Sequence, residues 1–336
     1  MSIRDVLFGY YGTQCLNTVV ELGVAECLES GPKSIEELSF ATNANTDKLY
    51  RVLRYLSAAG LFYEQEAKVF ELNQESRQLI GSTSGNLKEF VHLHANYFYR
   101  GAEKIGDSMQ VNTSSFELNF GEKAGQYFKR DRTAGKIYND AMKENSELFG
   151  RLIAELYEFS SYKCIVDVGG GLGSLLANIL KKSRDSAGVN FDIPELQSQS
   201  ETYLQASGLS SRCQYIPGDF YTSIPQDGDI YLMKAILHGK TDDAALLLLK
   251  NCKQVLKDNA KLLIIEHIVS TDSKRYLEAC VNDINMLNVT AGKVRTLDEF
   301  EQLICKSGLT LTQTIPIYDA LFLMEVELKN VAPSLR

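Results

Sequence analysis

The stretch IVDVGGGLGSLLANIL, residues 165–180, contains the change of periodicity that decides the fold. It begins as a buried strand, passes through four glycines within five residues, and continues from Ser174 with apolar residues at helical spacing. A glycine turn between a parallel strand and a helix directs backbone N–H groups toward the helix N-terminus, where a carboxylate or phosphate is favoured. The segment therefore predicts a ligand-binding strand–turn–helix unit.

The residues around this turn narrow the class of ligand. A dinucleotide fingerprint that includes Gly169 and Gly171 would need a glycine where the chain has Ser174, and the lysine of a P-loop is missing. Asp192 in NFDIPEL lies about 20 residues farther on, at the end of the next predicted strand, where a carboxylate can accept hydrogen bonds from both ribose hydroxyls. These residues indicate a nucleoside without a phosphate.

A third strand end carries PGDFY, with Asp219 and Phe220. Asp219 can accept a hydrogen bond from an exocyclic amine, and Phe220 can pack on a purine ring at the crevice where such sheets bind ligands. A single aspartate after a strand is often only a turn residue. A glycine turn, a ribose acid and an adenine acid on successive strands form a far more specific set.

The whole chain favours two domains of different character. Its 336 residues, 44% of them hydrophobic, can bury one large core or two ordinary ones. The pattern is helical to about residue 155, and from about 163 short apolar runs alternate with amphipathic ones. This predicts an α/β fold with a Rossmann-like, doubly wound, mostly parallel sheet, completed by an antiparallel C-terminal hairpin that turns at Tyr318 and Asp319.

The helical part contains a winged-helix outline. Ser34 and Glu37 form a capping box, a second helix starts near Thr46, and LFYEQEAKVFEL resembles a small hairpin. Acids outnumber bases across residues 34–80, and the chain has a formal net charge of -8, so nucleic-acid binding is disfavoured and a packing or dimerisation role is expected. The predicted division is a dimerisation domain at 1–100, a helical connecting segment at 101–160 that lines the substrate pocket, and a catalytic domain at 161–330.

Other sequence features concern location and metals. The first residues form neither a signal peptide nor a membrane span, and the seven cysteines form no C-x-x-C pair and no zinc-type cluster. We expect a cytoplasmic protein without a metal or membrane partner, its cysteines reduced and buried.

The combined motifs resemble the class I, S-adenosylmethionine-dependent O-methyltransferases of the plant caffeate and bacterial polyketide type. The likeness spans nearly the whole chain and includes LGVAECLESGPKSIEELS, LYRVLRYLSAAGLF, DVGGGLGS, FDIPEL, GDF, LMKAILH and GKVRTLDEFEQLICKSGL. It implies a homodimer that binds S-adenosylmethionine and a small-molecule hydroxyl acceptor. Its implied cofactor residues are Gly169 at the methionine carboxylate, Gly171 in the same turn, Asp192 and Ile193 at the ribose, Asp219 and Phe220 at the adenine, and Lys234 at the cofactor's edge. In DAMKENSE, Met142 would neighbour both cofactor and substrate, and Ser146 would contact the carboxylate.

Methyl transfer to oxygen also requires a base, because the acceptor hydroxyl loses its proton as it attacks the sulfonium methyl. His238 follows the strand that contains Lys234 and matches the histidine of the family's LHDW motif, and histidine titrates near neutral pH. We predict His238 as general base, oriented by Glu266 in LLIIEHI.

The sequence departs from the family beside this histidine. Gly239 and Lys240 replace the usual Asp and Trp, and Val294 replaces the second bracketing glutamate. An altered reaction without methyl transfer (hydroxylation, decarboxylation or pericyclic chemistry) is therefore an alternative. In it, Lys240 or Arg295 would act as an electrophilic group, unless both are solvated surface charges. A winged-helix ligand sensor is the alternative that is not an enzyme.

Overall fold

The computed structural model describes residues 2–83, 86–270, 275–290 and 292–329, and the chain divides into two compact units. The first comprises Met1–Arg100 with Tyr127–Leu148, and the second comprises Gly101–Gln126 with Phe149–Arg336. Residues 101–160 thus contribute to both units.

The chain up to Leu156 is mainly helical. Its elements are α1 (Ile3–Glu21), α2 (Val24–Cys27), β1 (Lys33–Ser34), α3 (Ile35–Thr42), α4 (Thr46–Ala58), β2 (Tyr63–Glu66), β3 (Val69–Glu71), α5 (Lys88–Leu93), a π-helical turn (His94–Phe98), α6 (Tyr99–Ala102), α7 (Ile105–Ser108), α8 (Ser115–Phe120), α9 (Ala124–Arg130) and α10 (Arg132–Leu156). The three strands form a small antiparallel sheet in the order β1-β3-β2. The helix pair and hairpin predicted for residues 34–72 are present.

Local sequence explains how these helices begin and pack. Ser34 Oγ accepts a hydrogen bond from Glu37 N at 3.2 Å, and the Glu37 carboxylate accepts one from Ser34 N at 2.8 Å, so the predicted capping box is confirmed. Helix α4 buries Leu49, Leu53 and Leu56 at spacings of three and four residues, in one core with Phe70 of β3.

The second unit contains the predicted α/β sheet. Its further elements are β4 (Cys164–Val168), α11 (Ser174–Lys182), β5 (Ala187–Asp192), α12 (Gln197–Ala206), β6 (Cys213–Pro217), β7 (Ile230–Lys234), α13 (Asp242–Val255), β8 (Lys261–Val269), α14 (Tyr276–Val289), β9 (Arg295–Thr296), α15 (Leu297–Ser307), β10 (Leu309–Tyr318) and β11 (Leu321–Leu328). The strand order is β10-β11-β8-β7-β4-β5-β6, with β9 paired to β8. Strands β4 to β8 pair in parallel, whereas β10 and β11 are antiparallel, which confirms the predicted C-terminal hairpin.

Alternate residues of the central strands enter two different cores. Ile165 and Leu232 lie in the core that includes α11, whereas Val166 and Met233 lie in the core that includes α13 and α15. Both faces of the sheet are therefore covered, as a parallel sheet of continuous apolar strands requires. The order reverses between β4 and β7, so the carboxyl ends of these strands define the crevice where such sheets bind ligands.

Strand β7 is shorter than the apolar run DIYLMKAIL suggests. It ends at Lys234 because Ala235 adopts a left-handed conformation with φ 57°, which turns the chain out of the sheet. A non-glycine residue in this conformation stores strain, and such strain concentrates at functional sites. The turn leads directly to His238.

Two further features concern the cysteines and the lengths of the helices. All seven cysteines are free thiols, but only Cys213 and Cys252 are buried and Cys305 is exposed, so the prediction that they are all buried was wrong. Among the described residues, the helices are all too short or too polar to span a bilayer.

The first unit holds a buried acid that couples stability to pH. Glu144 on α10 is 7% exposed, and its Oε2 accepts hydrogen bonds from Glu89 N at 3.0 Å and Phe90 N at 3.2 Å. Burial raises the pKa of Glu144 to about 7, although the two N–H donors oppose the rise. The folded chain therefore binds a proton that the unfolded chain has released between about pH 4.5 and 7.

We predict that Glu144→Gln raises thermal stability at pH 8 and leaves it nearly unchanged at pH 5. The glutamine oxygen can keep both N–H bonds without the buried charge, and the stabilising proton of the wild type is fully present below its unfolded pKa and lost above the folded one. The apparent Tm at pH 8 should rise by about 2–4 °C. Scanning calorimetry of Glu36→Gln, an exposed acid on α3, gives the control, and an equal gain at both pH values would contradict the assignment.

Candidate functional site

The glycine turn after β4 adopts a conformation that side chains disfavour. Gly169, Gly171 and Gly173 have φ values of 75°, 58° and 89°. Gly169 N donates to the Phe191 carbonyl at 2.8 Å, so a contact of Gly169 with the cofactor would use its Cα or carbonyl group. A Cβ at Gly169 would lie 2.6 Å from Ile236 Cδ1, whereas one at Gly171 would meet nothing within 4 Å. The turn thus packs closely at Gly169 and is open at Gly171, where a ligand fits.

Beneath the turn lie two polar oxygens that sequence reasoning missed. Asp167 and Asn190 are register partners on β4 and β5, and a Cβ at Gly170 would lie 2.7 Å from Asp167 Oδ2 and 2.1 Å from Asn190 Oδ1. Both atoms are buried, and neither has a hydrogen-bond partner in the part of the chain that the structure describes. Such oxygens produce a negative potential at the turn that favours a cationic ligand. The signal was a polar residue inside each of the apolar runs CIVDV and GVNFDI.

The Asp167 carboxyl also faces a lysine. Burial raises the pKa of Asp167 to about 7, and the positive charge of Lys234 opposes that rise. Burial lowers the pKa of Lys234 at the end of β7, with Asp167 and Glu266 acting in the other direction. Lys234 therefore lies at the carboxyl edge of the sheet, within the electrostatic field of both acids.

Asp192 is fixed by the turn itself. Its Oδ2 accepts a hydrogen bond from Gly171 N at 2.7 Å, and its Oδ1 accepts one from Ile193 N at 2.7 Å. Burial raises the pKa of Asp192, although these two N–H donors and Lys240 act against the rise. The neighbouring Ile193 is 42% exposed, and its carbonyl accepts a hydrogen bond from the Tyr215 hydroxyl at 2.5 Å. Each Asp192 oxygen retains a second lone pair, which can accept a ribose hydroxyl.

The third strand end presents an aromatic platform. Asp219 is exposed and its Oδ1 accepts a hydrogen bond from Tyr221 N at 2.8 Å. Lys240 Nζ lies 5.4 Å from the centroid of the Phe220 ring and 5.5 Å from that of Tyr221, within cation–π distance. Asn251 Nδ2 donates to the carbonyls of Phe220 and Tyr221, both at 2.9 Å. The lysine that replaces the family's tryptophan is thus half-buried, with its ammonium near the predicted adenine platform.

His238 and Glu266 form a short, buried pair. His238 lies on a 3₁₀ turn, Leu237–Gly239, and its Nδ1 is 2.6 Å from Oε2 of the fully buried Glu266. Glu266 Oε1 accepts hydrogen bonds from Leu237 N at 2.7 Å and His238 N at 3.2 Å. Burial would raise the pKa of Glu266, but the His238 charge and these hydrogen bonds outweigh it and hold the pKa below its usual value. The carboxylate therefore occupies Nδ1 and leaves Nε2 for chemistry.

Arg295 is not a surface charge, so that expectation for it was wrong. Its side chain is fully buried, and its guanidinium donates to Asp242 Oδ1 and to the carbonyls of Leu237 and Lys240. Four of its five N–H donors are thus used within the fold.

Two predicted cofactor residues belong to the other unit. Met142 and Ser146 are half-buried on α10, and their contacts with the cofactor stay a prediction. The same unit contains a cavity of about 560 Å³ whose lining includes Gln14, Asn96, Tyr97, Tyr99, Arg100 and Tyr127. Part of this lining comes from the π-helical turn, a feature often found at functional sites.

The site combines a glycine turn, an aspartate placed to accept ribose hydroxyls, and an aromatic platform at the switch point of a doubly wound sheet. This combination defines a nucleoside-dependent transferase of the S-adenosylmethionine type. Comparison with known families agrees, since residues 102–310 match the model of the O-methyltransferase domain and residues 4–82 match that of the O-methyltransferase dimerisation domain. The chain belongs to the O-methyltransferase family. It is an S-adenosylmethionine-dependent O-methyltransferase.

Individual relatives match over almost their whole length. The chain is 30% identical to a mitomycin biosynthesis 6-O-methyltransferase of Streptomyces lavendulae, over 94% of this chain and 90% of that protein. It is 29% identical to the phenazine O-methyltransferase PhzM of Lysobacter antibioticus, over 96% of this chain and 94% of that protein. The crystal structure of LaPhzM superposes with a TM-score of 0.88 at 29% identity, covering 97% of this chain and 98% of that one.

The residues present suit the family's cofactor. S-adenosylmethionine carries an ammonium and a sulfonium, which match the negative potential of Asp167, Asn190 and Asp192. The open face at Gly171 gives a cradle that any side chain would fill. Asp192 would hold the ribose, Phe220 the adenine and the glycine turn the methionine portion.

We predict that Asp192→Asn weakens binding of S-adenosylhomocysteine by about 1–3 kcal/mol, or about 5- to 150-fold in Kd. Asparagine offers one acceptor oxygen instead of two, and it lacks the negative charge of the carboxylate. Titration calorimetry measures the change. The matched control is Asp229→Asn, since Asp229 Oδ2 accepts Lys163 N and Cys164 N at the amino end of β4, away from the crevice. Wild-type affinity in Asp192→Asn would reject the ribose assignment.

Proposed function

We propose that this chain methylates a hydroxyl on a planar aromatic small molecule, of polyketide-like or phenazine-like size, with His238 as general base. The observation that carries the base assignment is the 2.6 Å contact between His238 Nδ1 and Glu266 Oε2. A carboxylate at Nδ1 fixes the tautomer in which Nε2 carries the lone pair. It also stabilises the imidazolium that forms when Nε2 takes the hydroxyl proton.

The residues of the site have separate roles in the proposed reaction. S-adenosylmethionine supplies a methyl group on a sulfonium. Asp192, Phe220 and the glycine turn fix the cofactor's position, and Met142 and Ser146 are assigned to its remaining edge. His238 receives the acceptor proton, and Glu266 holds the ring and balances its charge. Positioning of this kind replaces a random encounter by an aligned attack.

The acceptor class rests on the first unit and on the relatives. Tyr97, Tyr99, Tyr127 and Arg100 give the cavity of about 560 Å³ aromatic surfaces and a guanidinium, which suit a flat acceptor that carries an acidic or carbonyl group. Relatives named for mitomycin and phenazine methylation act on ring systems of that kind. We assign this cavity to the acceptor, with the segment HLHANYFYRG, residues 92–101, forming part of its wall.

We also propose a homodimer and a cytoplasmic location. The exposed side of α1 is strongly apolar near its start, with Ile3 88% exposed, Val6 67% and Leu7 61%. Surface of this kind is usually covered by a partner, and the matched dimerisation model supports a second copy of the chain in that role. The seven unpaired thiols support a reducing compartment.

The reaction and its base are tested together on a panel of phenols, hydroxybenzoates and hydroxyphenazines. With a true acceptor, wild-type protein should form the methyl ether and S-adenosylhomocysteine in equal amounts. His238→Ala should lower kcat by about 10²–10⁴-fold, the range for loss of a general base, with the Kd for S-adenosylhomocysteine unchanged.

Glu266→Gln provides the second arm of this experiment. The amide removes the charge that stabilises the imidazolium formed during proton transfer, so kcat should fall. His267→Ala is the control, because this neighbouring histidine is kept neutral by burial, which lowers its pKa to about 4. Turnover without S-adenosylhomocysteine would exclude methyl transfer, and full activity of His238→Ala from pH 6 to 9 would exclude the base.

For the assembly, we predict that Val6→Glu with Leu7→Glu converts a dimer into a monomer, since two buried charges would oppose association. Light scattering at micromolar concentration measures the mass. Phe40→Glu is the control, as Phe40 on α3 is 92% exposed but lies outside the α1 surface. A wild-type protein that is monomeric with and without cofactor would overturn the proposal.

A further inference from the structure

The backbone of the His238 turn is held on its N–H side and on its carbonyl side by different residues. On the N–H side, Glu266 accepts hydrogen bonds from Leu237 N and His238 N. On the carbonyl side, Arg295 Nη1 donates to the Leu237 carbonyl at 2.7 Å and Nη2 donates to the Lys240 carbonyl at 2.8 Å. The two side chains thus bracket the residues on either side of the histidine.

Arg295 is itself rigidly placed. It begins β9, where it pairs with Ile268 of β8, two residues beyond Glu266. Its Nε and Nη2 both reach Asp242 Oδ1, at 3.0 and 2.8 Å, and this pairing holds the pKa of Asp242 below its usual range. Asp242 opens α13, so one guanidinium ties the His238 turn to the helix that follows it.

A third contact, at Gly292, brings the segment that contains Arg295 close to the His238 turn. A Cβ at Gly292 would lie 2.0 Å from the His238 carbonyl oxygen and 2.5 Å from Lys240 N, so only glycine allows this approach. Asp283 on α14 accepts a hydrogen bond from Val294 N at 2.8 Å, which fixes the backbone between Gly292 and Arg295.

The turn needs these contacts because its own sequence supplies few stabilising interactions. Gly239 lacks the carboxylate that follows the histidine in the family, Val294 lacks the second glutamate, and Ala235 enters the turn in a strained conformation. A fully buried guanidinium requires strong compensation for its lost hydration. Here that compensation comes from Asp242 and from the two carbonyls that flank His238.

We propose that Arg295 is a positioning residue, which keeps the His238 imidazole aligned with Glu266 through the carbonyls of Leu237 and Lys240. This inference rests on the proposed role of His238 as base. Arg295 touches neither the acceptor proton nor the methyl group in this assignment. Its effect on rate therefore passes through the orientation of the turn.

The experiment compares Arg295→Met with Arg212→Met. Arg212 is a matched control because it also donates to backbone carbonyls, in its case the three of Leu180, Ser183 and Ser186 near the C-terminal end of α11. Both variants should lower Tm. Only Arg295→Met should lower kcat, by about 10- to 100-fold for a base displaced by a fraction of an ångström to one ångström, with little change in acceptor KM or in Kd for S-adenosylhomocysteine.

Arg295→Lys keeps the measurement decisive if the methionine variant does not fold. A single ammonium cannot bond both carbonyls and Asp242 in one plane. The kcat of Arg295→Lys should therefore lie between that of wild type and that of Arg295→Met. If Arg295→Met does not fold, His238→Ala gives the lower limit. Wild-type kcat in a folded Arg295 variant would overturn the positioning role. If His238→Ala itself retains activity in the same assay, the base assignment fails instead, and the two failures are thereby distinguished.

Discussion

The carboxylate of Glu266 is fully buried, and it accepts hydrogen bonds from three N–H groups of one short turn. A buried charge of this kind is stable only when its lone pairs are satisfied, so the position of the turn is dictated by the position of strand β8. Strand β8 lies between β7 and β11 in the middle of the sheet and contributes Leu263, Ile264 and Ile265 to the cores on both faces. The rigidity of the sheet is thereby transmitted to the imidazole of His238.

The same sheet places the cofactor residues. Asp167, Asp192 and Lys234 come from β4, β5 and β7, and parallel pairing brings these strand ends to one edge. Asp192 also accepts the N–H of Gly171, so the acid proposed for the ribose and the glycine turn are one hydrogen-bonded unit and not two separate features. The proposed site for the methyl donor is therefore preorganised by backbone contacts that exist before any ligand binds.

The sequence was sufficient for the parts of this molecule that local rules control. Strand and helix periods predicted the parallel sheet and its antiparallel hairpin, the capping box predicted the start of α3, and motif spacing predicted the Asp192 contact region and the family. Resemblance identified His238 and Glu266 as a pair, and their side chains do meet.

Tertiary contacts decided what sequence reasoning could not. Arg295 was judged as a lone cation in GKVRT, because no local pattern shows that its acceptors lie 53 to 58 residues away on Asp242, Lys240 and Leu237. Lys240 was judged in the same way, yet it lies over Phe220, which enters from a different strand end. Asp167 and Asn190 were hidden because an isolated polar residue in an apolar run gains meaning only when its cross-strand partner is known.

These contacts also explain how the departures from the family's motif fit together. In this chain Lys240 lies within cation–π distance of Phe220, Glu266 bonds the His238 ring, and Arg295 donates to the Leu237 carbonyl from the GKVRT segment. Loss of two carboxylates removes negative charge beside His238, and Arg295 adds no net positive charge there because Asp242 is paired with it at 2.8 Å. Glu266 is the carboxylate that bonds the imidazole, and in the proposed reaction this contact fixes the tautomer and stabilises the imidazolium that forms.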